Sequence, residues 1–197
     1  ADGAFRGVGI DGMAEAMRHY QCERAVIIVS QRGHYSIDKA ASMLGIGEDS
    51  VIKIPVDQSN RIRTDLLLEE CRMIAEYNAA HERKIRVIAM IGIGGTTETG
   101  NIDDFLALRR AADLVNTHLH IDAAWGGPVL FVESYRHLFR GIERADSVTF
   151  DCHKLLFSPN SMGVVLFRNP EDLNQIRRNS TYILRPDSLD LGRFTIE

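Results

Sequence analysis

Short runs of consecutive apolar residues alternate along the chain with segments in which apolar residues recur every three or four positions. The short runs are typical of strands buried on both faces, and they cover residues 25–29, 51–56, 86–92, 119–124, 147–150 and 163–167. The amphipathic segments predict helices at residues 36–44, 64–80, 101–115, 132–139 and 170–178. Strands that alternate with helices in this way predict an α/β fold, with a mostly parallel sheet flanked by helices.

Capping and turn-forming residues set the expected ends of these elements. Ser36, Thr64 and Asn169 are candidate N-caps, because their side-chain oxygens can accept hydrogen bonds from the free N–H groups of a first helical turn. Gly45 is expected to end the first of these helices. Pro55 lacks a backbone N–H, so the strand that contains it is expected at an edge of the sheet.

The loops that follow the strands are the expected place for a ligand site. In open parallel sheets, ligands bind in a crevice beyond the carboxyl ends of the strands. We therefore expect four loops to converge on one crevice, namely residues 31–34, 94–97, 122–124 and 151–154.

Composition narrows the range of possible partners. The 197 residues are 45% hydrophobic and 25% charged, and the net charge is −4. This balance offers no basic surface for nucleic acid, and no apolar run approaches the roughly 18 residues of a membrane span. We therefore expect neither a nucleic-acid nor a membrane partner. The three cysteines, Cys22, Cys71 and Cys152, are widely spaced, which predicts a reducing, cytoplasmic location.

One candidate site is a metal centre. His118, His120 and Asp122 alternate along a predicted strand, so their side chains share one face. Two imidazoles and a carboxylate suit a divalent transition metal, and a metal-dependent hydrolase is therefore one alternative. Against a metal site, the sequence lacks an HExxH pattern. His118 can equally well be a solvent-exposed residue at the start of the strand.

A second candidate site pairs an acid with an amine. Asp122 lies within an apolar strand, and a buried carboxylate needs a partner that carries a proton or a charge. Lys154 follows a later strand and emerges at the same edge of the sheet if the strands are parallel. Such a pair, with room for a flat ring between its members, suits pyridoxal phosphate. The lysine forms a Schiff base with the cofactor, and the acid keeps the pyridine nitrogen protonated.

Several segments together resemble one family. They are His120-Ile-Asp-Ala-Ala-Trp-Gly-Gly127, Ala145-Asp-Ser-Val-Thr-Phe-Asp-Cys-His-Lys154, Gly33-His-Tyr-Ser-Ile37, Gly95-Thr-Thr97, and Asp190-Leu-Gly192 with Phe194-Thr-Ile-Glu197. In combination they resemble the pyridoxal-phosphate-dependent group II amino-acid decarboxylases over nearly the whole chain. That family includes glutamate, aromatic amino-acid, cysteine sulfinate and 2,4-diaminobutyrate decarboxylases.

The resemblance implies a fold-type I large domain and three catalytic residues. Lys154 would carry the cofactor, and Asp122 would pair with its pyridinium nitrogen. His34 would stack on one face of the ring and take part in protonation. No metal is part of this site.

The resemblance also implies three further cofactor contacts, and it fails at one position. Ala124 would pack against the other face of the ring, Thr97 would lie beside it, and His153 would contact the cofactor near its phosphate. Asp151 stands where several family members carry asparagine. An anion there would repel the phosphate unless it is turned away or protonated.

The resemblance further implies that this chain is part of a larger protein. The family's serine- and glycine-rich phosphate loop would precede residue 1, and its small domain would follow residue 197. Residues 1–197 are therefore expected to form a partial cofactor-binding large domain. Family members are homodimers, so a homodimer is expected here.

The implied activity is decarboxylation of an L-amino acid to the amine and carbon dioxide. The expected substrate is an acidic amino acid, glutamate or aspartate, and 2,4-diaminobutyrate is the alternative. A non-catalytic dimerisation or binding piece is a further alternative, if the gene encodes only these 197 residues.

Overall fold

The computed structural model describes residues 4–160 and 162–175. The β-strands in this part of the chain are β1 (Cys22–Ser30), β2 (Val51–Ile54), β3 (Lys84–Ile93), β4 (Leu119–Asp122), β5 (Ser147–Asp151) and β6 (Gly163–Phe167). The α-helices are α1 (Val8–Asp11), α2 (Met13–His19), α3 (Ser36–Met43), α4 (Thr64–Ala80) and α5 (Phe105–Leu114). Short 3-10 helices lie at Glu48–Ser50, Gly127–Phe131, Glu133–Phe139, Ile142–Arg144 and Pro170–Gln175. The chain divides into two compact units, residues 1–166 and 167–197.

The strands form a single sheet in the order β2-β1-β3-β4-β5-β6. All the pairs from β2 to β5 run parallel, which confirms the predicted mostly parallel α/β sheet. β2 lies at one edge of the sheet, as expected from Pro55, which follows its last residue.

Both faces of the sheet are buried around β1, whereas the edge strand β6, expected from its apolar run to be buried on both faces, is largely exposed. In β1, Val26 and Ile28 belong to one apolar cluster, which residues of α4 and α5 complete. Ile27 and Val29 belong to a second cluster, together with residues of α3. Alternate side chains of a strand point to opposite faces, so β1 contributes to both clusters. This two-sided burial explains why its sequence is an uninterrupted apolar run.

The expected caps of two helices are wrong by one position. Ser36 and Thr64 are the first residues of α3 and α4, and the residues before them, Tyr35 and Arg63, form no side-chain cap. The serine and threonine therefore lie inside the first turn. Gly45 lies just beyond the end of α3 with a φ of 75°, in the left-handed region that glycine adopts without strain.

The last described element is a 3-10 helix that begins at Pro170. Asn169 precedes it, and its side-chain oxygen accepts a hydrogen bond of 3.2 Å from the backbone N–H of Glu171. This contact agrees with the expected capping role of Asn169. The rest of the predicted helix, up to residue 178, lies outside the described residues, as do the family-like segments at 190–192 and 194–197.

Two predicted helices differ more strongly. The helix expected at 101–115 begins only at Phe105, after the side chain of Asp104 accepts a hydrogen bond of 3.0 Å from the N–H of Ala107. The segment expected as a helix at 132–139 is a 3-10 helix, preceded by a second 3-10 helix that contains Pro128. Within the described part of the chain, no helix has the length and apolar character that crossing a membrane requires.

The late start of α5 leaves Asp103 free to bridge two parts of the fold. Its carboxylate is almost fully buried and accepts hydrogen bonds from the backbone N–H groups of Ile62, at 2.7 Å, and Ile93, at 2.9 Å. Burial raises the pKa of Asp103, although both N–H donors act in the opposite direction. The residue thereby joins the loop before α4 to the end of β3.

Asp103→Asn is expected to lower the free energy of unfolding by about 1–3 kcal/mol. Asparagine has a single acceptor oxygen, so its NH2 group would face one of the two backbone N–H donors. Thermal unfolding of the complete protein measures the change as a lower midpoint. Asp113→Asn is the matched control, because Asp113 is exposed and its ion pair with Arg109 contributes little. Equal midpoints for the two variants would contradict the bridging role.

Candidate active site

A cavity of about 540 Å³ opens beyond the carboxyl ends of the parallel strands. Each of the four loops expected to converge there contributes to its wall. The lining residues from these loops are Arg32 and His34, Gly95 and Thr97, Asp122 and Ala124, and Asp151 and Lys154. The predicted convergence is therefore confirmed.

Two glycines allow the loop after β4 to approach its neighbours closely. A Cβ on Gly126 would collide with the carbonyl oxygen of Gly94, which accepts a hydrogen bond of 3.1 Å from the Gly126 N–H. A Cβ on Gly127 would collide with the side chain of Phe150 in β5. The Trp-Gly-Gly segment is thus explained by packing between the loops that form the cavity.

Asp122 is the last residue of β4, and the strand's alternation directs its side chain to the cavity. The neighbouring Ile121 is fully buried in the core, on the opposite face of the strand. The backbone oxygen of Asp122 accepts a hydrogen bond of 2.8 Å from Gly94. Its carboxylate oxygen Oδ1 accepts one of 3.1 Å from the N–H of Ala124. Asp122 is therefore held in position through both its backbone oxygen and its carboxylate.

Lys154 follows β5 in a tight turn and forms an ion pair within the cavity wall. Its Nζ lies 2.9 Å from Oδ2 of Asp151, and its side chain is 32% exposed whereas that of Asp151 is 19% exposed. The anomalous acid at position 151 is thus turned towards the lysine. Because the pair is partly solvated, its contribution to stability is small, and the amine stays accessible from the cavity.

His34 lies at the rim of the cavity, and its ring is held by contacts with Ser36 in the same turn. Its Nδ1 accepts a hydrogen bond of 3.3 Å from the backbone N–H of Ser36, and the Ser36 hydroxyl lies 2.9 Å from the same nitrogen. Because Nδ1 accepts from a backbone donor, the neutral ring carries its proton on Nε2. The ring of Tyr35 packs beside the imidazole, with 4.1 Å between the centroids.

His153 differs from the other predicted site residues. Lys154, Asp122, His34, Thr97 and Ala124 all line the cavity, but His153 is not part of its wall. The Nδ1 atom of His153 lies 3.0 Å from the backbone oxygen of Met162, and its Nε2 lies 3.7 Å from Oδ2 of Asp151. A contact between His153 and a cofactor phosphate therefore stays a prediction.

Sequence reasoning assigned no role to Arg32, which also lines the cavity. Its guanidinium donates hydrogen bonds to the carboxylate of Glu98, at 2.8 Å, and to the side-chain oxygen of Asn60, at 3.1 Å. The only available signal was its place in a strand-end loop, because both partners are far away in the sequence. The cavity wall thus includes an arginine whose guanidinium is paired with Glu98 and Asn60.

The histidines of the metal alternative have a different partner. His118 Nε2 and His120 Nδ1 lie 2.7 and 2.8 Å from the hydroxyl oxygen of Ser147. Within residues 4–160 and 162–175, no group of three His, Cys, Asp or Glu side chains is arranged to hold a metal ion. The metal-dependent hydrolase therefore receives no support. Burial lowers the pKa of His120, and His118 lowers it further, whereas Asp122 raises it.

The residues of the cavity fit pyridoxal phosphate. The volume lies within the range of small-ligand sites. A lysine amine and a carboxylate share this space, and the short side chain of Ala124 leaves part of it open for a flat ring. An imidazole at the rim, that of His34, is available to stack against such a ring.

Comparison with known proteins also points to a pyridoxal-dependent protein. The model of the pyridoxal-dependent decarboxylase conserved domain matches residues 5–197. An aspartate 1-decarboxylase of Aliivibrio fischeri is 46% identical over 196 residues, which is 100% of this chain and 35% of that protein. An L-2,4-diaminobutyrate decarboxylase of Rhizobium meliloti is 36% identical over 83% of this chain and 32% of its own length.

A solved structure supports the fold. The crystal structure of mouse CSAD in apo form has a TM-score of 0.80 and 30% identity, and the match covers 96% of this chain and 38% of that one. The chain spans about a third of the length of the curated relatives it matches. From the family model and these relatives, we conclude that the chain belongs to the pyridoxal-dependent decarboxylase family.

Proposed function

We propose that the protein containing this chain decarboxylates an L-amino acid, with pyridoxal phosphate as cofactor. The observation that carries this proposal is the placement of the Lys154 amine and the Asp122 carboxylate in one cavity, at the ends of parallel strands. Membership in the pyridoxal-dependent decarboxylase family supports the same reaction class.

Five residues of the cavity would hold the cofactor. The amine of Lys154 would bind it covalently, and the carboxylate of Asp122 would hold a proton on the pyridine nitrogen. His34 would stack on one face of the ring, Ala124 would pack against the other, and Thr97 would lie beside it. When bound, pyridoxal phosphate supplies a sink for the electron pair that the departing carboxylate leaves behind.

The chain's own contribution to the reaction is orientation and electrostatics. The hydrogen bond from Ala124 N–H to Oδ1 leaves the rest of the Asp122 carboxylate available to face the ring nitrogen. This fixed negative charge would stabilise a protonated, positively charged pyridine nitrogen, and it is in place without reorganisation during the reaction. The imidazole of His34 lies at the rim of the cavity, where its protonated form would give a proton to the substrate carbon and return to the neutral ring.

We propose an acidic amino acid as substrate, with aspartate favoured. The aspartate 1-decarboxylase of Aliivibrio fischeri supports this choice by its 46% identity over the whole chain. Arg32 in the cavity wall also supports a substrate with a second carboxylate, which would compete with Glu98 for the guanidinium. L-2,4-diaminobutyrate is the alternative, and the 36% identity to the Rhizobium meliloti enzyme favours it.

A panel of amino acids tests the activity and the substrate together. The complete protein, loaded with pyridoxal phosphate, is expected to convert aspartate to β-alanine and carbon dioxide, with lower kcat/KM for glutamate and 2,4-diaminobutyrate. Amine products are separated by chromatography, and carbon dioxide is measured independently. If none of the panel releases carbon dioxide from a fully loaded protein, the proposed reaction is wrong.

We also propose the wider setting of the chain. Residues 1–197 would form part of the cofactor-binding large domain of a cytoplasmic homodimer. The free thiols of Cys22, Cys71 and Cys152 support a reducing location. Exposed apolar side chains on the segment 131–138, among them Phe131 and Tyr135, support a protein interface there.

A further inference from the structure

Ser147 lies between two histidines at the start of β5. It pairs with His120 across the parallel strands β4 and β5, and its side chain is almost completely buried. Its hydroxyl oxygen lies 2.7 Å from Nε2 of His118 and 2.8 Å from Nδ1 of His120. His120 also lines the cavity that contains Asp122. The three side chains therefore form a continuous hydrogen-bonded row that ends at the cavity wall.

A single hydroxyl proton restricts how this row can be arranged. A serine hydroxyl donates one hydrogen bond and accepts up to two. If both imidazoles donated to Ser147, its own buried O–H would lose its partners, and an unsatisfied buried donor is costly. The hydroxyl must therefore donate to one histidine and accept from the other.

Two directions of the row remain, and the surroundings favour one of them. When His118 donates from Nε2 and Ser147 donates to Nδ1 of His120, both neutral rings carry their proton on Nε2. That is the intrinsically preferred tautomer of a histidine side chain. The opposite direction places both protons on Nδ1 and leaves an unprotonated Nε2 on a ring that lies within the influence of the Asp122 charge.

We infer that His118 and Ser147 fix His120 as a neutral ring with its proton on Nε2, in the cavity wall that also contains Asp122. The tautomer of His120 does not depend on the proposed function. Only its expected effect on cofactor binding rests on that proposal. An uncharged His120 would leave the negative charge of Asp122 uncancelled, so that this charge remains available to the pyridine nitrogen. His118 and Ser147 act through His120 and are positioning residues. The low pKa of His120 caused by burial agrees with its neutral state.

Nuclear magnetic resonance of the complete protein tests the tautomer without any turnover. Histidine rings are labelled with ¹⁵N, the protein is kept free of cofactor, and the His120 signals are assigned by their loss in His120→Gln. We expect Nε2 to resonate as a protonated nitrogen and Nδ1 as an unprotonated one. In Ser147→Ala the two nitrogens should move towards averaged values, whereas Ser147→Thr, which keeps the hydroxyl, should preserve the wild-type pattern. A proton on Nδ1, or no change in Ser147→Ala, overturns the inference.

Cofactor affinity provides the second measurement. Pyridoxal phosphate is compared with its analogue in which carbon replaces the pyridine nitrogen. The Kd of the analogue divided by the Kd of pyridoxal phosphate reports the interaction at that nitrogen. We expect Ser147→Ala to reduce this ratio about threefold or more, and Ser147→Thr to leave it unchanged. Equal weakening of both ligands would reveal a packing role and overturn the inference. A wild-type protein that binds neither ligand would instead contradict the proposed function, while the tautomer measurement would still decide the inference.

Discussion

Lys154→Ala is expected to abolish covalent attachment of pyridoxal phosphate and to lower decarboxylation about a thousandfold or more. Lys154 supplies the cavity's amine for this bond, and alanine has no nucleophilic group. Intact-mass analysis of the complete protein after borohydride reduction measures the attachment. Wild-type protein should gain the mass of one cofactor per chain, and the variant should gain none.

Lys53→Ala is the matched control for this experiment. Lys53 Nζ lies 2.9 Å from Oδ2 of Asp38, so this lysine forms an ion pair of the same length as Lys154 and Asp151. Lys53 is not part of the cavity wall. The control variant should retain both attachment and activity. Covalent trapping that persists in Lys154→Ala would move the attachment site to another lysine and refute the assignment.

Asp122→Asn is expected to reduce kcat about a hundredfold while leaving covalent attachment intact. Asparagine keeps the shape of the side chain and can still accept the hydrogen bond from Ala124 N–H. It carries no negative charge, so it would no longer hold the proton on the pyridine nitrogen. Steady-state kinetics and borohydride trapping of the same preparation separate the two effects.

A second pair of variants defines the role of the charge. Asp122→Glu restores the negative charge but moves it by one methylene, so its activity should lie between those of the wild type and Asp122→Asn. Asp113→Asn removes an exposed carboxylate of α5 and should leave kcat unchanged. If Asp122→Asn retained full activity, the carboxylate would have no part in the chemistry.

The strands were predictable as uninterrupted apolar runs, and in β1 this run reflects burial on both faces of the sheet. The run Ala25-Val-Ile-Ile-Val29 lies within β1, and every residue of the run is buried. The helix starts were less predictable, because polar residues near them have competing partners. Asp103 is the example, since a helical start at residue 101 would prevent its two contacts to Ile62 and Ile93.

The location of the site was predictable, but its hydrogen bonds were not. Parallel strands bring their carboxyl ends together, so four loops could be assigned to one crevice from sequence alone. The bonds from Ser147 to His118 and His120 depend on the register between β4 and β5, which local patterns do not specify. The contact from Arg32 to Glu98 joins loops 66 residues apart. The turn that directs His153 towards Met162 likewise has no signature in the sequence.

The apolar character of both faces of β1 has a consequence for folding fidelity. In a strand with one solvent-exposed face, a slip by one residue would move apolar side chains into water. The free-energy cost of that exposure would enforce the correct register. In β1 the same slip would only exchange Val26 and Ile28 with Ile27 and Val29. Misaligned intermediates of this strand are therefore penalised mainly by poor steric fit and by displacement of the exposed Glu23 and Arg24 at its start.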